Sequence, residues 1–269
     1  MRRLVRPMAL LAIGMIACGG DPTPTPACDG VDLTPAQRLR AEQLTSIFEN
    51  GTIELQYAYA EALGDGRGIT AGRAGFTTAT GDAVLVVQAY VDEVPTAPIG
   101  DYLPRLHELA DAEDGSLVGL DGFVDAWATA AADAAFRQAQ DDVVELLYYA
   151  PALVRADDVG VCAPLGVAII YDTIIQHGEG DDPDGLPALI GRTTDARGAD
   201  ATADEAGWLR EFVAQRRATL ANAFDPDTRA EWAASVDRAD VLLDLIDADA
   251  WQLDGPIHVD DGDFQGDIP

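Results

Sequence analysis

Phe48-Glu49-Asn50-Gly51, followed by Tyr59-Ala60-Glu61-Ala62-Leu63-Gly64-Asp65-Gly66-Arg67-Gly68-Ile69-Thr70, sets two carboxylates sixteen residues apart on different kinds of backbone. Glu49 closes a helix. Thr34-Pro35-Ala36-Gln37 upstream has the form of a capping box with proline at the first helical position. Leu39, Leu44, Ile47 and Phe48 then recur at helical spacing. Asp65 opens a glycine-rich turn, and residues 65–80 are rich in Gly and Thr, with Ile69 and Phe76 as apolar anchors. That texture predicts turns and short strands. Residues 54–63 between them predict a second short helix, stopped at Gly64.

Outward from this segment the chain predicts helix almost throughout. Helical periodicity covers residues 83–91, 102–109 and a long stretch over 123–149. Residues 161–176 are apolar nearly all round, as in a buried helix, so Tyr171 and Asp172 need polar partners inside the core. Two amphipathic stretches follow at 204–222 and 230–246. The tail over 255–269 is acidic and glycine-rich, and predicts irregular structure. Neither repeats nor a second-domain linker appear, so residues 31–254 predict one catalytic unit, mainly helical with a minor β component.

The chain has 269 residues, with 17 basic against 47 acidic, for a net charge of −30. Such a surface repels nucleic acid and anionic lipid and attracts cations; solubility in a salty habitat accounts for it equally well. Arg2, Arg3 and Arg6 precede an apolar run from Met8 to Ile16, the pattern of a signal peptide over residues 1–17 and too short to span a bilayer. Met15-Ile16-Ala17-Cys18 resembles a bacterial lipobox, which implies lipidation of Cys18 and anchoring at the cell envelope; simple secretion is the alternative. Residues 18–30, with Pro22, Pro24 and Pro26, suit a semi-rigid tether. In an exported chain Cys28 and Cys162 are a candidate disulfide. The anchor is the only membrane contact expected, and the protein is expected to be monomeric.

A carboxylate pair reaching one cleft from two elements suits glycosidic bond cleavage, where an acid protonates the leaving oxygen and a base activates water. In so acidic a chain the bare pair reads more readily as two solvated surface groups. No metal or cofactor is expected. His107, His177 and His258 lack ligand spacing, and His177 suits packing at a helix end. The runs beginning at Asp181 and Asp260 lack a full calcium-loop pattern. Trp127, Trp208, Trp232 and Trp251 suit the core.

Glu49-Asn50, Tyr59, the stretch from Asp65 to Thr70, Gly75-Phe76 and Gly81-Asp82 together resemble the signature of chitosanases of glycoside hydrolase family 46. The similarity continues through Trp127–Ala131, Phe136–Asp141, Tyr171-Asp172, His177-Gly178 and the segment from Phe212 to Leu220. The resemblance implies an α+β, lysozyme-like fold: two lobes joined by a long helix, with a small β-sheet beside the active-site cleft. It implies endo-hydrolysis of β-1,4 bonds between glucosamine units with inversion, Glu49 as general acid, Asp65 as general base and Thr70 holding the attacking water. Tyr59, Glu61 and Asp82 would contact the cationic sugars, with helix capping an alternative duty for Asp82. Arg67 would lie near Glu49 and tune its protonation. Asp172 would join Arg216 and a second arginine in a buried support network. Arg238 is the choice for that second place, where the family pattern falls near Ser235. Chitosan or glucosamine oligomers are thus the expected partners. Partly acetylated chitin or peptidoglycan as substrate, or a non-catalytic surface lipoprotein that binds cations, are the competing readings.

Overall fold

The structure, a computed structural model, describes residues 31–226 and 228–269. The signal segment, Cys18, the tether and Cys28 lie outside the described residues. The first part of the chain forms α1 (Pro35–Asn50), β1 (Ala60–Glu61), β2 (Thr70–Ala71), β3 (Phe76–Thr77), α2 (Asp82–Glu93), α3 (Leu103–Ala112) and α4 (Phe123–Ala130). Then come α5 (Ala134–Val144), α6 (Ala150–Val159), α7 (Pro164–His177), α8 (Leu186–Arg197) and α9 (Glu205–Ala221). The last elements are α10 (Arg229–Ala233), α11 (Asp237–Asp247), β4 (Ile257–Asp261) and β5 (Phe264–Ile268).

The expected capping box is present: Gln37 N–H donates to Thr34 Oγ1, and the Gln37 side chain accepts from Thr34 N–H. Gly51, in the left-handed conformation at φ 66°, ends α1 directly after Glu49-Asn50. Residues 54–59, expected to be helical, are not. Trp127 Nε1–H and Gln140 Nε2–H both donate to the Tyr57 carbonyl, at 3.0 and 2.9 Å. Bonds from residues far along the chain thus satisfy a carbonyl that a helix would have used locally. The segment emerges as β1, whose Ala60 and Glu61 pair antiparallel with Ala71 and Thr70 of β2. β2 in turn pairs with β3, Thr70 opposite Thr77.

Two lobes flank a cleft. In one, α2 packs on α3 and β3, and α4 on β1. Its centre is Trp127, fully buried, with the rings of Phe76, Phe123 and Phe136 at 6.4, 5.9 and 4.9 Å. Truncating such a residue to alanine costs about 3–5 kcal/mol. In the other lobe α8, α11 and α10 all pack on α9, and α1 packs on α7 and β5.

The long helix expected over 123–149 breaks at 131–133, where Asp133 caps α5 by accepting from Ala135 N–H. It then runs further than expected, because a π turn (Glu145–Tyr149) joins α5 to α6 without interruption. Pro151 explains the π turn: it has no N–H for the ladder and its ring crowds the carbonyl a turn earlier, so the wider turn relieves both. With α5 against α2 and α6 against α7, this run bridges the lobes.

The tail, expected to be irregular, is instead a hairpin, β4–β5, with Ile257 opposite Ile268 and Asp261 opposite Phe264. Ile257, Val259 and Ile268 are buried, alternating with exposed residues. Apolar residues at period two around a two-residue loop, Gly262-Asp263, outweigh the acidic composition. The 230–246 stretch is likewise split into α10 and α11 around Ser235, which donates to the Trp232 carbonyl and accepts from Gln176. No helix among the described residues is long and apolar enough to cross a membrane.

Candidate active site

Two cavities of about 660 and 770 Å³ share Glu49, Arg67, Ile175 and Glu231 in their walls and form one groove between the lobes. Glu49 reaches it from the end of α1 with 40% of its side chain exposed. Asp65 reaches it from the turn before β2, beside Glu49 in the larger cavity. Thr70, Tyr59 and Asp82 line the smaller one. The chain thus brings both candidate carboxylates together with Tyr59, Arg67, Thr70, Asp82 and Arg238. Glu61 stands apart: it is exposed, lines neither cavity and accepts from Tyr59 Oη–H at 3.2 Å.

Each carboxylate has its own arginine. The cation on Glu49 is Arg238, whose Nη1 lies 2.5 Å from Glu49 Oε1. Arg67, expected to serve Glu49, pairs with Asp65: its N–H donates to Oδ1 at 2.9 Å, while Nε and Nη2 lie 2.8 and 2.7 Å from Oδ2. The reason is local. Gly66 takes φ 85° and turns Arg67 back over Asp65. Burial alone would raise the Asp65 carboxyl, but the hydrogen bonds and charge of Arg67 outweigh it and hold the group below its ordinary 3.8.

Behind Glu49 stands the support network. Asp172 is 1% exposed in α7. Arg238 gives it two hydrogen bonds, Nε to Oδ2 at 3.0 Å and Nη2 to Oδ1 at 2.6 Å. Thr45 Oγ1–H adds a third at 2.9 Å. Arg216 Nη1 lies 2.7 Å from Oδ2, close enough for charge attraction though off the angle of a hydrogen bond. Burial works against an ionised Asp172, yet the two guanidiniums hold its carboxyl well below the usual range. For Arg216, burial outweighs Asp172 and lowers the guanidinium to about 10. Arg238 therefore touches Asp172 with one edge and Glu49 with the other, and α11 supplies the second arginine that the sequence pattern left near Ser235.

Asp82 combines two environments. It is the first residue of α2, which has Gly81 at its N-cap and no side-chain cap, and its Oδ1 accepts from Thr77 N–H, Thr80 Oγ1–H and Ala83 N–H. Burial raises its carboxyl from the ordinary 3.8 despite these bonds. Thr70, 7% exposed on β2, has a buried Oγ1 with no hydrogen-bond partner among the described residues. A buried hydroxyl without a partner costs about 1–3 kcal/mol, so its place in the groove wall marks a site for an incoming polar atom.

Sequence reasoning missed Arg73, Tyr148 and Glu231. Buried Arg73 follows Gly72 in the β2–β3 turn and pairs with Glu42 of α1 at 2.8 Å and Asp141 of α5 at 2.5 Å. It thereby fixes the sheet against both. Its signal was an arginine beside a glycine, too common to stand out. Tyr148 lies in the π turn and Glu231 in the short α10, neither legible from periodicity. His177 is a packing residue: Nδ1–H donates to the Asp184 carbonyl, Nε2 accepts from Arg216, and Trp232 meets the ring edge-on at 4.6 Å. Trp232 is the one tryptophan of the four that lines the groove. No group of three or more His, Cys, Asp or Glu able to hold a metal occurs among the described residues.

Comparison with known proteins agrees with this architecture. The family profile described as Glycosyl hydrolase family 46 matches residues 43–257. A chitosanase of Bacillus subtilis (strain 168) is 50% identical over 234 residues, covering 86% of this chain and 84% of the relative. A chitosanase of Streptomyces sp. (strain N174) is 35% identical over 234 residues, covering 84% and 82%. Among solved structures, a mutant chitosanase from Bacillus subtilis MY002 complexed with 6 GlcN superposes with TM-score 0.83 at 48% identity, covering 88% of this chain and 100% of that one. A chitosanase from Gynuella sunshinyii complexed with chitotetraose gives TM-score 0.82 at 47% identity, covering 88% and 99%. The fold is the lysozyme-like one of these proteins, and the chain belongs to glycosyl hydrolase family 46.

Proposed function

We propose that this protein hydrolyses β-1,4 bonds between glucosamine units inside chitosan chains, with inversion at the anomeric carbon. The observation that carries the reading is that Glu49 and Asp65 line one cavity, each held by a different arginine. Glu49 donates its proton to the leaving glycosidic oxygen. Its conjugate carboxylate then faces Arg238, which stabilises the charge that develops. Asp65 takes a proton from water as that water attacks the anomeric carbon. Arg67 keeps Asp65 ionised, and the unoccupied lone pairs of its oxygens receive the proton. Thr70 Oγ1, without an internal partner, orients the water. One proton leaves Glu49 and one reaches Asp65, so exchange with solvent resets the pair.

Substrate choice rests on charge. Glucosamine carries an ammonium with three donors, and the groove offers Asp82, with Tyr59 beside it, to a polycation. Glu61, outside the groove wall, reaches the sugars through Tyr59. Release of reducing ends from chitosan, compared with chitin and peptidoglycan, tests the reading. Glu49→Gln and Asp65→Asn should each lower turnover on chitosan by about 10²–10⁴-fold with unchanged circular dichroism, and the α-anomer should appear first by proton NMR. Wild-type rates in either variant, or an initial β-anomer, would overturn it.

The same proposal places the protein outside the cytoplasm, lipidated at Cys18 and acting as a monomer. Cys162 is disulfide-bonded, and we assign Cys28 as its partner. The intact mass of the membrane-extracted protein, before and after reduction, reads lipid and disulfide together; a chain of full, unlipidated mass would refute the anchor.

A further inference from the structure

The hairpin β4–β5 begins where the family match ends, at residue 257, and it packs on both helices that build the Glu49 side of the groove. β5 lies against α1, whose end carries Phe48-Glu49, and β4 lies against α11, which carries Arg238. Gly266 makes the approach to α1 close, since a Cβ there would stand 2.6 Å from Ile47 Cδ1. Arg40 of α1 ties down the chain just beyond β5, donating Nε–H to the Pro269 main-chain oxygen at 2.8 Å. From this base Phe264 meets Phe48 in a T-shaped pair, with ring centroids 5.1 Å apart and ring planes at 80°. Over Phe48 in turn lies the Arg238 guanidinium, 5.0 Å from the ring centroid. Nε and Nη2 of that guanidinium are held by Asp172, and Nη1 reaches Glu49.

We propose that Phe264 is a positioning residue for the general acid, acting through Phe48 and Arg238 on Glu49. Phe264 lines neither cavity of the groove, so its effect passes through the residues it packs against. Asp172 fixes one edge of the Arg238 guanidinium, and the plane can still tilt about that edge. The Phe48 ring beneath it resists the tilt, because a cation is attracted to the face of an aromatic ring. Phe48 itself turns about its side-chain bonds unless another ring holds it, and Phe264 is that ring. Without Phe264 both the guanidinium plane and the adjoining Glu49 gain freedom. A proton donor displaced by even about 1 Å loses rate while the sugars still bind. The inference rests on the reading of Glu49 as the acid.

The test compares side chains with and without a ring at one position. Phe264→Leu and Phe264→Ile fill the space without a ring, and Phe264→Tyr keeps it. On chitosan the two ringless variants should lower kcat and kcat/KM together by about two- to tenfold, the worth of one aromatic pair, with KM little changed. Phe264→Tyr should restore most of the lost kcat. A hairpin that served stability alone would leave kcat unchanged in all three, well below the melting temperature. Phe48→Leu should lower kcat as well, and Phe48→Leu/Phe264→Leu should lose no more than Phe48→Leu, because the second ring acts through the first. Wild-type kcat in both ringless variants, the same loss in Phe264→Tyr as in Phe264→Leu, or losses that add in the double variant would overturn the proposal. Full turnover in Glu49→Gln would instead refute the acid assignment on which it rests. An inactive Glu49→Gln beside an unimpaired Phe264→Leu would refute the positioning role alone.

Discussion

Asp65 owes its ionised state at acidic pH to Arg67, and this can be read from kinetics. Because the guanidinium and backbone N–H of Arg67 lower the carboxyl, the base form persists further into acid than a free aspartate would allow. Arg67→Ala removes the side-chain part of that effect, so the Asp65 carboxyl rises. The acidic limb of the kcat/KM profile, which reports the free enzyme's base, should move to higher pH. A limb that stays in place would mean that Asp65 is not the group the profile reports. The two carboxylates were legible because their neighbours carry a pattern. Their arginines were not: Arg67 is two residues from Asp65 yet was expected at Glu49, since sequence gives no direction to a side chain on a glycine turn.

At the level of elements, Arg238 couples α11 to α7 and α1 through Asp172 and Glu49. Asp172→Ala leaves Arg216 and Arg238 buried with Glu49 as their only carboxylate partner in the network, a change that costs about 3–5 kcal/mol. Chemical denaturation should show a loss of that size, together with a fall in kcat, since Arg238 loses the group that aims it. Stability within about 1 kcal/mol of wild type would show that the network is dispensable to the fold. Helices α1, α7 and α9 were legible from caps and periodicity. Residues 54–59 were misread because a carbonyl at Tyr57 serves Trp127 and Gln140. In the C-terminal hairpin the acidic composition masks the alternation of Ile257, Val259 and Ile268.

For the whole molecule, the net charge of −30 draws a polycation toward the groove, and salt screens that attraction over about 8–10 Å at physiological strength. KM for chitosan should therefore rise with ionic strength while kcat changes little; an insensitive KM would assign the charge to solubility. Stability carries a separate pH signature. Burial, with Arg216 beside it, holds His177 well below its ordinary 6.5. The unfolded chain then binds a proton that the native state refuses, so this contribution is whole above 6.5 and is lost as pH falls through and below that value. The melting temperature of wild type should drop between pH 7 and pH 5 more steeply than that of His177→Gln. Parallel slopes would contradict the assignment of a neutral, buried imidazole.

Resemblance to the family singled out which two carboxylates to compare; by itself the sequence determined the helical class, the capped first helix, and the buried seventh helix with its stranded Asp172. These follow from local rules, one turn or one pleat at a time. Only the tertiary structure decided that Arg238 serves Glu49, that Arg67 serves Asp65, that Glu231 lines the groove, and that the acidic tail is a strand pair. The Glu49–Arg238 pair and the place of Glu231 depend on groups far apart along the chain meeting in space, the Arg67–Asp65 pair on the turn that Gly66 makes, and the tail on an alternation that its acidic composition masks.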